Sequence, residues 1–233
     1  MSTFLFSMIF WHDGHSDSTR IKNVEFSWPE LKNLCSFLRE NGFNCDHKLY
    51  DFSVIKQFED AIHVPYDTLE FKKAEKLNHI IKSNLQYDYL VMFDCDMFFF
   101  KKDYDKVLTI FKNVTKRTLT TFDAAKLHIN HDIVNDENFN PYDHDWSYAY
   151  SGNKENGPLS SGRLGGLGGI YICDMELLKE IEFFDENFTR WGGEDGDLLN
   201  KIYYLNNTRI IPVREFAPFH LPHFSDWNNP NYR

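Results

Sequence analysis

Two unbroken apolar stretches, Thr3–Phe10 (TFLFSMIF) and Tyr89–Phe93 (YLVMF), constrain this chain more than any other feature. A strand with one wet face alternates apolar and polar residues; a continuous run suits a strand covered on both faces. Such a sheet needs helices above and below, and the intervening sequence supplies them. Trp28–Arg39 places Leu31, Leu34, Cys35 and Leu38 at helical spacing, and Asn41-Gly42 reads as its C-cap. His47–Phe52 reads as a second strand. Asp67 and Glu70 resemble a capping pair, ahead of a helix with Ala74, Leu77, Ile80, Ile81 and Leu85 on one face. Tyr104–Val114 is a helix and Arg117–Phe122 a strand. The alternation predicts an α/β fold with a mostly parallel central sheet flanked by helices.

The pattern stops at Asp123. From there to Arg163 the chain is rich in Asn, Asp, His, Tyr and Gly, the composition of a long functional loop. Order resumes with a Gly-rich turn and strand over Gly165–Cys173 and a short helix over Met175–Ile181. A helix over Glu194–Leu205 follows, with Leu198, Leu199, Ile202 and Tyr203 on its apolar side, then a last strand over Arg209–Val213. With 233 residues the chain is long enough for one domain with a substantial core.

The formal net charge of −10 counts against nucleic acid as a partner, and an anionic ligand would need a local cation or a metal. Cys35, Cys45, Cys95 and Cys173 form no C-x-x-C pair, so they read as small core residues of a cytoplasmic protein in a reducing compartment. No run reaches the ~18 apolar residues of a membrane span; peripheral membrane contact is left open.

Three short segments carry candidate chemistry. Asp94-Cys95-Asp96 is one of four D-x-D sequences here, and it alone follows directly on a buried-looking strand. Ligands of open α/β sheets bind outside the carboxyl ends of strands. Residues i and i+2 of an extended segment share a side, so the two carboxylates are positioned to share one divalent cation. The plain alternative is a pair of solvated acids in a turn. In Arg190-Trp191-Gly192-Gly193-Glu194-Asp195 the glycines allow a tight turn, and the acids stand at a helix N-terminus, which favours ionised carboxylates. They read either as a general base or as a helix cap. His220 and His223 are a possible imidazole ligand pair for a manganese-like metal, or one buried and one exposed histidine.

Taken in order, strand-D-x-D, Gly-rich strand, W-G-G-E-D and a late histidine resemble the GT-A glycosyltransferases. The resemblance is greatest to the β-1,4-galactosyltransferase, polypeptide GalNAc-transferase and bacterial chondroitin polymerase groups, over about residues 71–223. It implies a single Rossmann-like GT-A domain, with residues 1–122 binding the nucleotide and 123–233, including the loop 123–163, binding the acceptor. It implies that Asp94 contacts the ribose or metal, that Asp96 ligates Mn²⁺ (or Mg²⁺), and that His220, with His223 as second choice, completes the metal site. Residues 71–78 (FKKAEKLN) resemble a galactosyltransferase helix whose basic residue touches the donor diphosphate, here Lys73. By the same resemblance Gly168 and Gly169 line the donor-sugar pocket, Trp191 faces donor and acceptor, Glu194 holds sugar hydroxyls, and Asp195 is the base of an inverting transfer. The segment Trp11–Thr19 departs from the family's usual signature, and Arg20 is the substitute for its nucleotide contacts.

The function expected is transfer of a Gal-, GalNAc- or Glc-type sugar from a UDP-sugar to a hydroxyl of a glycan or other acceptor. Trp146, Tyr148 and Tyr150 in the long loop are candidates for stacking on sugar faces, or for packing of the loop itself. A sugar-nucleotide nucleotidyltransferase is a rival that predicts a Gly/Arg/Lys-rich phosphate loop, absent from Trp11–Thr19. A catalytically silent carbohydrate-binding domain is the other.

Overall fold

The structure is a computed structural model that describes residues 2–12, 19–66, 72–122, 127–128, 169–188, 193–213 and 218–221. The strands are β1 Thr3–Phe10, β2 Asn44–Asp51, β3 Ile62–His63, β4 Tyr89–Asp94, β5 Met97–Phe98, β6 Thr118–Phe122, β7 Leu127–His128, β8 Ile170–Asp174, β9 Arg209–Val213 and β10 Phe219–His220. The helices are α1 Thr19–Glu40, α2 Lys73–Lys82, α3 Tyr104–Asn113, α4 Met175–Glu180 and α5 Glu194–Tyr203, with a 3₁₀ turn at Lys101–Asp103 before α3.

Seven strands form the central sheet in the order β3-β2-β1-β4-β8-β6-β9. β1 pairs in parallel with β2 and β4, β2 with β3, and β6 with β9; β8 runs antiparallel to both β4 and β6. The sheet is thus mixed with a parallel majority. A smaller sheet, β5-β10-β7, stands beyond the end of β4.

The apolar run of β1 divides by alternation between two cores. Phe4, Phe6, Met8 and Phe10 pack beneath α1 and α3, whereas Leu5, Ile9 and Trp11 pack with α2 and α5 on the other face. The chain leaves β1 through α1 to β2 on one side and returns through α2 to β4 on the other, with the helices on opposite faces. β1 is therefore a topological switch point, and the crevice outside its carboxyl end, beside Asp94, is where this class of sheet binds ligands.

Three local readings need correction. α1 begins nine residues before Trp28, passing through Pro29. Proline removes one backbone donor, but Val24, Ser27 and Trp28 are buried, so packing carries the helix across it. Leu85 lies beyond α2 and is exposed, because the helix ends at Lys82, where the Ser83 N–H donates to the His79 carbonyl and the Asn84 N–H to the Ile81 carbonyl. Tyr203 is also exposed, at the last residue of α5, where the sheet no longer covers the helix. Asp67, Glu70 and nearly all of 123–163, including Trp146, Tyr148 and Tyr150, lie outside the described residues. All four cysteines are unbridged and buried. Among the described residues no helix is long and apolar enough to cross a membrane.

Candidate functional site

The site starts where β4 ends. The Asp94 N–H donates to the carbonyl of Gly169 at 2.8 Å, fixing the mouth of β4 against that of β8. Gly169 has φ +82°, a conformation that L side chains rarely adopt, and a Cβ there would stand 3.1 Å from Asp94 Oδ2 and 3.0 Å from Met97 Cγ. Glycine is required at this position both by its backbone conformation and by the nearness of the carboxylate.

Cys95-Asp96 is a turn, not a continuation of the strand. The segment is therefore not extended through Asp96, and the period-two argument for pairing Asp94 with Asp96 does not apply, since that period holds only along a strand. Ser27 of α1 secures the turn, its hydroxyl donating to the Cys95 carbonyl at 2.6 Å. Burial raises the Cys95 thiol pKa, with Asp96 adding to the rise and Arg20 opposing it. Arg20 thus sets its positive charge beside the D-x-D turn.

After the turn the chain enters β5, where Met97 pairs with His220 and Phe98 with Phe219. The Leu221 N–H donates to the Asp96 carbonyl at 2.7 Å. Asp96 and the backbone of His220, more than 120 residues apart in sequence, are therefore adjacent. The His220 side chain, His223, Gly168 and Trp191 lie outside the described residues. Among the described residues no cluster of three metal-ligating side chains occurs.

The second acid group arrives on α5. Gly193, at φ +96°, precedes the helix, and a Cβ there would meet the Phe188 ring at 2.8 Å. Glu194 and Asp195 occupy the first turn, where helix polarity favours negative charge. Their side chains differ sharply in access: Glu194 is 2% exposed and Asp195 27%.

Lys73, the first residue of α2, joins the two groups. Its Nζ lies 3.3 Å from Asp94 Oδ1, 3.7 Å from Glu194 Oε1 and 4.0 Å from Asp195 Oδ1, with the side chain 8% exposed. Burial disfavours the ammonium, but Asp195, Asp94 and Glu194 outweigh it and its pKa is raised. Burial raises the Glu194 pKa, with Lys73 pulling it down and Asp195 and Asp94 pushing it up. One ammonium thus faces three carboxyls, two of them partly open to solvent, so the mouth of the cluster keeps negative charge that suits a cation.

Sequence spacing did not reveal Lys73 as the tie between the motifs, nor Tyr171 beneath them. Tyr171 is a hydroxyl-bearing residue between two isoleucines near the start of β8, IYICD, and that was the signal available.

Comparison with known proteins agrees with this architecture. A family model described as the N-terminal domain of galactosyltransferase matches residues 159–221, the stretch that carries β8, α5 and β10. No curated protein sequence matches the chain. Among solved structures, the catalytic domain of Drosophila β1,4-galactosyltransferase 7, in complex with xylobiose, superposes with TM-score 0.54 at 14% identity, covering 94% of this chain and 68% of that one. A mannosyltransferase of Pyrobaculum calidifontis, in complex with GDP-Man and Mn²⁺, gives 0.57 at 11% identity over 98% of this chain and 59% of its own. GalNAc-T7 with UDP, GalNAc and Mn²⁺ gives 0.56 at 13% identity over 97% and 44%. The fold is that of the GT-A glycosyltransferases, as the motif order implies.

Proposed function

We propose that the chain is a metal-dependent glycosyltransferase that moves a hexose from a UDP-sugar to a hydroxyl of a carbohydrate acceptor with inversion. One observation carries the reading: Lys73 gathers Asp94 from the D-x-D turn and Glu194 and Asp195 from α5, within 4.0 Å, at the switch-point crevice. The neighbours in the fold support it: a second Drosophila β1,4-galactosyltransferase 7 structure contains manganese, UDP-Gal and xylobiose, and GalNAc-T7 contains UDP and Mn²⁺.

The residues present suit a hard divalent cation, Mn²⁺ or Mg²⁺. Asp94 and Asp96 would supply oxygen donors and His220, whose backbone the β5–β10 pairing sets against the D-x-D turn, an imidazole. His223 lies three residues further on. When bound, the cation supplies charge stabilisation for a departing nucleoside diphosphate.

The chain's own groups do the rest. Asp195, partly open and beside both a helix N-terminus and the Lys73 ammonium, takes the proton of the acceptor hydroxyl as that oxygen attacks the anomeric carbon. Glu194, buried below it, orients the sugar. Lys73 holds the acids in register and lends positive charge where a diphosphate would lie, and Arg20 adds more beside the turn. Gly168, Gly169 and Trp191 would line the donor pocket, and the 123–163 segment would serve the acceptor. The four buried thiols suit a reducing, cytoplasmic setting.

The deciding experiment is a panel of UDP-sugars with Mn²⁺, measuring UDP release by wild type and Asp96→Ala. The expected result is turnover with at least one donor and near-complete loss in the variant. Comparable turnover in the variant would remove Asp96 from the metal site, and wild-type inactivity with every nucleotide sugar would turn the reading toward a silent carbohydrate-binding domain.

A further inference from the structure

Two buried polar atoms have no hydrogen-bond partner among the described residues and belong to elements that meet at the acid cluster: the Tyr171 hydroxyl on β8 and Glu194 Oε2 on α5. Tyr171 is the second residue of β8, opposite Met92 of β4 and Thr121 of β6, and is 3% exposed. Its side chain belongs to the core that holds α2 and α5, the two helices that carry Lys73 and Glu194. Gly169, two residues earlier on the same strand, abuts the Asp94 carboxylate. Burial raises the phenol's pKa, and the charges of Asp195, Asp94 and Glu194 raise it further, as expected of a hydroxyl lying under those three acids.

A buried donor or acceptor left unpaired is unfavourable, and the pairing is normally made by protein or by what binds there. Here an O–H donor and a carboxyl acceptor stand on the two elements that meet at the cluster, whose Asp94 and Asp195 side chains are partly open to solvent. One kind of group satisfies both at once: a hydroxyl, which accepts from the phenol and donates to the carboxyl. An apolar ligand would leave both atoms unmet.

Building on the nucleotide-sugar reading above, we propose that Tyr171 is a specificity-determining residue, its phenol and Glu194 Oε2 together holding one hydroxyl of the transferred sugar. The residue discriminates between donors without touching the nucleotide. A site built to bond a hydroxyl strongly rejects the analogue that lacks it.

The test uses Tyr171→Phe, which keeps the ring and removes only the hydroxyl. Titration calorimetry with Mn²⁺ compares UDP, UDP-Gal, UDP-Glc, UDP-GalNAc and UDP-GlcNAc, alongside thermal unfolding. We expect UDP affinity within about twofold of wild type and a thermal midpoint no lower. Affinity for the preferred UDP-sugar should fall roughly 10- to 100-fold and the ranking among C4 epimers should flatten. Glu194→Gln should disturb the same ranking.

Unchanged sugar affinity and ranking in Tyr171→Phe would overturn the proposal, leaving the hydroxyl bonded to a buried water only. An equal loss for UDP and UDP-sugars would overturn it too, making the residue structural. Wild type that binds UDP but shows no gain from any sugar would also count against it. Wild type that binds no nucleotide at all would instead sink the glycosyltransferase reading on which it rests.

Discussion

The two faces of the central sheet are built from different materials. Beneath α1 and α3, Phe6 stacks on Phe111 at 5.4 Å, Phe4 on Tyr89 at 4.9 Å, and Phe99 meets Phe122 edge-on at 5.0 Å. That face is a closed aromatic core. Beneath α2 and α5 the core is mostly aliphatic and ends, toward the carboxyl edge of β4, in Lys73, Asp94, Glu194, Asp195 and the Tyr171 hydroxyl. The same strands serve both, since alternate residues point to opposite sides. One face is committed to apolar packing, and the other gives up some of it to hold charge at a crevice.

Substitutions on each face should separate stability from chemistry. Asp195→Asn should lower sugar transfer by about 10²–10⁴-fold while UDP affinity, measured by calorimetry with Mn²⁺, stays near wild type. Lost UDP binding would make Asp195 structural and erase the contrast between faces. Phe6→Ala, at a fully buried ring, should destabilise the fold by about 3–5 kcal/mol in denaturant unfolding, with turnover per folded molecule unchanged. A specific loss of turnover would show that the aromatic face also shapes the site.

Gly169→Ala tests the seam between the two. The positive φ alone should cost about 1–2 kcal/mol, and the new methyl must push on Asp94 Oδ2 and Met97. We expect a lowered thermal midpoint together with weaker Mn²⁺-dependent UDP binding; a change in only one of these would show that seam and site are independent.

The smallest effect concerns Lys76, buried on the charged face 3.9 Å from the centre of the Tyr66 ring. Burial lowers its pKa from 10.5 to about 8, with Lys72 adding to the drop and Glu75 opposing it. The folded protein therefore binds fewer protons than the unfolded chain between about pH 8 and 10.5, and folding stability rises across that window. Lys76→Met should abolish that rise and add on the order of 1 kcal/mol near neutral pH, reduced by whatever the ring contact contributes. Denaturation curves across the window, wild type against variant, measure it; parallel curves would mean that the ammonium is well accommodated.

Much of this was legible in the chain. The runs Thr3–Phe10 and Tyr89–Phe93 announced strands buried on both sides, and β9 spans the predicted residues Arg209–Val213. The order of D-x-D, Gly-Gly and W-G-G-E-D pointed to the fold that the comparisons find. The register of the D-x-D acids was not legible, because a turn after Asp94 is set by Ser27, 68 residues away in sequence, closing on the Cys95 carbonyl. The passage of α1 through Pro29 was hidden for the same reason: burial of Val24 and Trp28 outweighs a local breaker.

By itself the sequence determined where most of the long central strands and their helices lie, because hydrophobic period is a local property written into each segment. It also determined the chemical types available at the strand ends. Only the tertiary structure decided that Lys73 would stand among Asp94, Glu194 and Asp195, with Tyr171 below them. Charges more than a hundred residues apart meet through the pairing of β4 with β8 and the seating of α2 and α5 on one face. Their partnership, and the burial that raises the Glu194 and Tyr171 pKa values, exist only once water has been excluded between them.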